Sequence, residues 1–164
     1  MTAHDEVDRI VQAWQRERPD LDITPLRVFS RITRLSRHLD LARRAAFAQH
    51  GLEVWEFDVL SALRRAGEPY ELTPGQLLTQ TLVSSGTMTN RIDRLVGHGY
   101  VVRSPAPEDR RVVLVRLTAE GRAAVDAALE DLLARESGLS ADVTDEHLEE
   151  FAAVLRTLLR RFEQ

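Results

Sequence analysis

The 164-residue chain has no cysteine, and all 22 of its basic side chains are arginine, with no lysine. Without thiols there is no disulfide framework, no thiolate metal site and no thiol redox sensor, a usage that fits the cytoplasm. The missing lysine reflects genomic base composition and carries no functional information. No apolar run approaches the roughly 18–20 residues of a membrane span, so no membrane association is expected. The opening MTAHDEVDRI is acidic and polar and does not form a signal peptide. There is no Gly-rich phosphate loop, and Gly97-His98-Gly99 is a helix stop. His4, His38, His50, His98 and His147 are scattered without metal-ligand spacing, and no Ser/His/Asp arrangement stands out. No metal, cofactor or catalytic activity is expected.

What is present describes an ordinary globular protein, 43% hydrophobic and 29% charged, read as one domain over residues 1–164. The net charge of −4 argues against indiscriminate coating of nucleic acid. Locally the sign reverses. From Ser84 to Arg122 seven arginines face four acids, an excess of three positive charges in one segment. Such concentration suits a site-specific binder with its phosphate contacts in one place.

Val7, Ile10, Val11 and Trp14 mark an amphipathic helix over Asp5–Arg18, stopped by Pro19. Thr24-Pro25 then starts a long helix to about Gln49, with Phe29, Ile32, Leu35 and Leu39 along one face. A third helix is expected over Leu52–Ala66. Thr73-Pro74-Gly75-Gln76 is a capping box that opens a short helix through Leu82. A turn at Val83-Ser84 leads to the next helix, which ends at Gly97 and Gly99. Two β-rich runs, YVVRS and VVLVRL, flank the Arg-tipped turn PAPEDRR. Thr118 caps another long helix, and the polar link SGLSADV separates it from a last helix capped by Thr144. In that last helix Leu148, Phe151, Leu155, Leu158 and Phe162 alternate at steps of three and four, a spacing that wants a partner helix.

A helix-turn-helix followed directly by a basic hairpin is a winged helix-turn-helix. The fold expected is mostly α with a small β-hairpin. Residues 52–118 form the DNA-binding lobe, and 5–50 and 119–164 form the helical dimerisation region. The helix lies in a major groove of double-stranded DNA and the wing reaches the adjacent minor groove. Ser84, Ser85, Thr87, Thr89, Asn90 and Arg94 make the helix face. Small hydroxyls let the backbone approach phosphate, while Asn and Arg make bidentate base contacts. Asp109, Arg110 and Arg111 make the wing tip. A homodimer is expected, because one winged unit reads half of a two-fold site. A winged module that binds protein instead is the alternative from another class, disfavoured by the local positive charge.

This order of elements, with Asp109-Arg110-Arg111 followed by Val-Val-Leu-Val-Arg-Leu-Thr118-Ala-Glu-Gly121, resembles the MarR family of bacterial transcriptional regulators. The resemblance implies a homodimer whose recognition helices enter consecutive major grooves of a pseudo-palindrome. It further implies that Arg111 is the minor-groove residue and Asp109 its orienting partner.

Within that family Trp14, Asp58, Arg91, Arg103 and the tract SSGTMTNRIDRLV are similar to the urate-responsive subgroup, whose relatives answer to citrate and aconitate. The implied ligand is a small anionic metabolite that releases DNA. Arginine's planar fork suits such an anion. Asp58 would repel it and, in the empty protein, pair with one of the arginines. Other readings of the same residues stand beside these. Trp14 serves a dimer core or a ligand, Asp58 is a solvated residue or a switch, Arg91 meets DNA or ligand, and Arg103 is wing surface or ligand contact. A broader response to phenolic or aromatic compounds is the alternative effector class.

Overall fold

The computed structural model describes residues 4–81 and 84–163. Its elements run α1 (Glu6–Glu17), α2 (Thr24–Ala48), α3 (Val54–Arg65), β1 (Glu71–Leu72), α4 (Pro74–Thr81) and α5 (Ser85–Gly97). They continue through β2 (Val101–Pro105), β3 (Val113–Leu117), α6 (Ala119–Leu139) and α7 (Asp145–Leu159). The expected mostly helical fold with a small sheet is what forms. Leu82, the expected end of the short helix, and Val83 of the expected turn lie outside the described residues.

Two compact units divide at Ala45/Ala46, inside α2. In the first unit, Asp5 accepts the Asp8 N–H and Asp8 returns the bond to the Asp5 N–H, both at 3.0 Å, closing a capping box on α1. Arg31 of α2 then bonds both carboxylates, at 2.8–2.9 Å. Val7 and Val11 are buried as the apolar spacing requires, whereas Trp14 is 49% exposed.

The second unit holds the winged lobe together with α6 and α7. α6 groups with the lobe because it buries Val125, Ala128 and Leu132 in the same core as Leu60 and Leu63 of α3. Leu77 of α4, Met88, Ile92 and Leu95 of α5, and Val101 and Val115 of the sheet complete that core. Phe47 at the end of α2 stacks on Phe57 with ring centroids 4.0 Å apart. Thr73 and Gln76 make the expected capping box on α4, with bonds of 2.8 and 3.2 Å.

Three elements differ from expectation. The hairpin gains a third strand, β1, giving the antiparallel order β1-β3-β2. Two residues carry no alternation, so the pairing of Glu71 with Arg116 and of Leu72 with Val115, reinforced by a Glu71–Arg116 ion pair at 2.7 Å, defines it. α6 runs to Leu139, three residues into the expected polar link, because nothing in Ser137-Gly138-Leu139 stops a helix already under way. α7 ends at Leu159, which leaves Phe162 beyond it.

Candidate nucleic-acid interface

α5 is the second helix of the helix-turn-helix, and Ser84 starts it. The Ser84 hydroxyl accepts the Thr87 N–H at 3.4 Å and lies 2.9 Å from the Thr87 hydroxyl. Ser84 and Thr87 thus define the helix N-terminus, whose free N–H groups and dipole favour an anion such as phosphate. Met88, Ile92 and Leu95 turn inward and are fully buried. Ser85, Thr89 and Asn90 are therefore left on the exposed side. The Thr89 hydroxyl donates to the Ser85 carbonyl at 3.2 Å, so its methyl group and its acceptor lone pairs remain for a groove.

Arg91 and Arg94 share one flank, as the helical spacing requires, and both lie over the Trp55 ring of α3. Their guanidinium carbons stand 5.4 and 4.7 Å from its centroid. Arg94 Nη2 also donates to Glu53 Oε1 at 2.6 Å, while the Trp55 indole N–H donates to Glu53 Oε2 at 2.7 Å. Arg94 first, and the indole second, hold the Glu53 carboxyl below its usual range. On the opposite flank Arg103 of β2 pairs with Asp93 and reaches the Thr89 carbonyl at 3.5 Å. The wing base is thereby tied to the recognition helix.

At the wing tip the Asp109 carboxylate accepts the Arg111 N–H at 2.9 Å, and the Asp109 carbonyl accepts the Val112 N–H at 2.9 Å. Asp109 acts on the main chain of Arg111, folding the turn so that Arg110 and Arg111 are both exposed. The tip closes where the Ala106 N–H meets the Val112 carbonyl at 2.8 Å.

The residues read as ligand-binding lie on α1, α3, α5 and β2. Of these, Asp58, Arg91 and Arg103 lie in the second unit and Trp14 in the first. Asp58 is half-buried on α3. Arg91 faces Trp55 while Arg103 faces Asp93, on opposite flanks of α5.

Sequence reading missed Glu53, Trp55 and Asp93 as parts of this surface. Glu53 and Arg94 are 41 positions apart, and no local spacing announces such a pair. Also missed is Glu56, 1% exposed, which accepts the Glu53 N–H at 2.9 Å and lies 2.8 Å from His98 Nδ1 at the end of α5.

Among the described residues no group of His, Asp and Glu is placed to hold a metal ion. None of the helices described is long and apolar enough to cross a membrane.

Comparison with known proteins agrees with this geometry. A family model described as MarR family matches residues 50–112. Over its full length the chain is 38% identical to the HTH-type transcriptional regulator PecS of Dickeya dadantii, covering 96% of that protein. Among solved structures it is similar to Sco5413, a MarR family transcriptional regulator from Streptomyces coelicolor. That match has a TM-score of 0.70 and 28% identity, over 87% of this chain and 97% of the other. A cysteine-to-serine mutant of MarR from E. coli, complexed with operator DNA, matches with a TM-score of 0.68 and 28% identity. It covers 84% of this chain and 95% of the other. With a capped recognition helix, an arginine-tipped wing and full-length similarity to a regulator, the chain belongs to the MarR family and is a DNA-binding transcriptional regulator, not an enzyme.

Proposed function

We propose that the protein is a cytoplasmic homodimeric repressor that holds a pseudo-palindromic operator and leaves it when a small anionic metabolite binds. The observation that carries the DNA half is α5 itself. Its buried Met88, Ile92 and Leu95 fix its rotation, so that Ser85, Thr89 and Asn90 point outward beside a wing tip of two exposed arginines. Asn90 and Arg94 supply base or phosphate contacts, and Arg111 the minor-groove contact, with Arg110 beside it.

The dimer is supported by exposed apolar surface. None of the described residues of α7 is buried, and Phe151 and Val154 are 45% and 56% exposed. Phe29 of α2 is likewise half exposed. Exposed apolar side chains of this kind call for a partner, and a second copy supplies two-fold symmetry to match a two-fold site.

The effector half rests on the similarity of Trp14, Asp58, Arg91 and Arg103 to a urate- or citrate/aconitate-responsive site. An anion that engages Arg91 or Arg103 competes with contacts that now hold α5, namely Trp55 and Asp93, and shifts the recognition helix. The placement of those two arginines on opposite flanks of α5 favours the second reading, a response to phenolic or aromatic compounds, which does not need both on one ligand.

A mobility shift with the DNA flanking the protein's own gene tests this, with urate, citrate, cis-aconitate and a phenolic acid titrated in turn. Release by one anion, lost in Arg91→Ala or Trp14→Ala variants that still bind, is the expected result. Release by the phenolic acid alone selects the second reading. Binding indifferent to every compound would remove the effector half and leave the DNA half standing.

A further inference from the structure

Arg94 is placed to meet DNA, yet a carboxylate of the protein already occupies it. The Glu53–Arg94 pair is short, at 2.6 Å, and open to solvent, with side chains 58% and 47% exposed. We propose that Glu53 is an electrostatic brake on DNA binding: its carboxylate occupies the Arg94 guanidinium in place of phosphate and must be displaced before Arg94 can touch the DNA backbone. This rests on the reading of α5 as the DNA-facing helix.

Three observations separate a brake from a structural clamp. First, the start of α3 has a support that does not involve the Glu53–Arg94 contact. The Glu53 main-chain N–H is capped by Glu56 Oε2 at 2.9 Å, and the two Glu53 side-chain oxygens go to Trp55 and Arg94 instead. Second, Arg94 has another support. It lies over the Trp55 ring, which also carries Arg91, so the aromatic face positions both cations while Glu53 only neutralises one. Third, Arg94 keeps the Glu53 carboxyl below its usual range, so the acid is ionised wherever the protein binds DNA. An exposed ion pair is weak enough to exchange for phosphate, yet it has to be broken in every complex that uses Arg94. The cost therefore falls on operator and unrelated duplex alike. The brake sets how tightly the protein holds DNA without setting which sequence it prefers.

The sign of one substitution decides between the two roles. Glu53→Gln keeps an oxygen for the Trp55 indole and removes the charge. Its affinity for the flanking-DNA probe and for a scrambled duplex is expected to rise by about two- to fivefold, the range set by an exposed ion pair. The ratio between the two probes is expected to stay constant. In an Arg94→Gln background the same substitution is expected to give no gain, with thermal melts confirming that all variants are folded. Weaker or unchanged binding by Glu53→Gln would make Glu53 a clamp and overturn the proposal. A gain that persists without Arg94 would overturn it too, by showing a general charge effect. A wild-type protein that holds neither duplex would instead remove the DNA-facing reading of α5.

Discussion

Gly121 lies so close against Tyr100 that a Cβ built on it would stand 2.0 Å from the Tyr100 carbonyl oxygen and 2.9 Å from the carbonyl carbon. The contact is made by backbone, which cannot move aside as a side-chain end does. Around it the Thr118 hydroxyl donates to the Gly99 carbonyl at 2.8 Å and accepts the Gly121 N–H at 3.0 Å. The Thr118 N–H reaches the Tyr100 carbonyl at 3.1 Å. Thr and Gly three residues apart thus dock the start of α6 on the entry to the wing. Gly121→Ala is expected to cost about 1–3 kcal/mol or more, as overpacking does. Urea unfolding measures it, and a stability equal to wild type would show that α6 can back away freely.

Glu56 is the buried charged side chain of the lobe, and it joins the start of α3 to the end of α5. Removing it as Glu56→Ala leaves the Glu53 N–H and the His98 ring without that acceptor and opens a cavity. The expected loss is about 2–4 kcal/mol, combining an unsatisfied polar group with missing packing. Glu56→Gln keeps an acceptor and is expected to lose less than half as much by the same measurement.

The wing arginines are exposed and hold no core, so Arg111→Ala and Arg110→Ala are expected to leave stability within about 0.5 kcal/mol. Each phosphate contact removed lowers the salt slope of DNA binding by about one, whereas a minor-groove contact shows as altered preference at one position. Fluorescence anisotropy at several salt concentrations separates the two. Asp109→Ala, which frees the Arg111 N–H, is expected to weaken binding less than Arg111→Ala does.

If α7 pairs with a second copy, a charge on its apolar face prevents it. Phe151→Asp is expected to turn a sedimenting dimer into a monomer whose helical content is nearly unchanged, since Phe151 is 45% exposed in the single chain. Operator affinity should fall with it, because one lobe then reads one half-site. A monomeric wild type would remove the dimer.

At the N-terminus, Arg31 first, and the Asp8 N–H second, lower the Asp5 carboxyl from its ordinary 3.8 to about 2. Because the folded value lies below the unfolded one, the stabilisation is fully present above about pH 4. It is lost as the pH falls towards 2. A carboxyl NMR titration is expected to find Asp5 in that depressed range, and to return it towards 3.8 in Arg31→Met. An unshifted wild-type value would mean that the pairing is not made in solution.

Much of the fold was legible because its signals are local. Caps at Thr118 and Thr144, the box at Thr73 and Gln76, and apolar spacing each need only a few neighbouring residues. The partnership of Asp109 with Arg111 at the wing tip is what the family resemblance implies, and the structure gives it as a carboxylate on the Arg111 main-chain N–H. The placing of Arg91 and Arg94 on one flank follows from helical periodicity alone.

What the chain order could not reveal is what that flank meets. Trp55 and Glu53 come from another helix, and their partnership with Arg94 depends on how α3 packs against α5. The same holds for Asp93 with Arg103, for β1, and for Glu56 under His98. The sequence by itself determined where helices begin, which faces are apolar and that an arginine-tipped wing follows a recognition helix. Only tertiary packing decided which carboxylate each arginine holds, because ion pairs form between neighbours in space and leave no period along the chain.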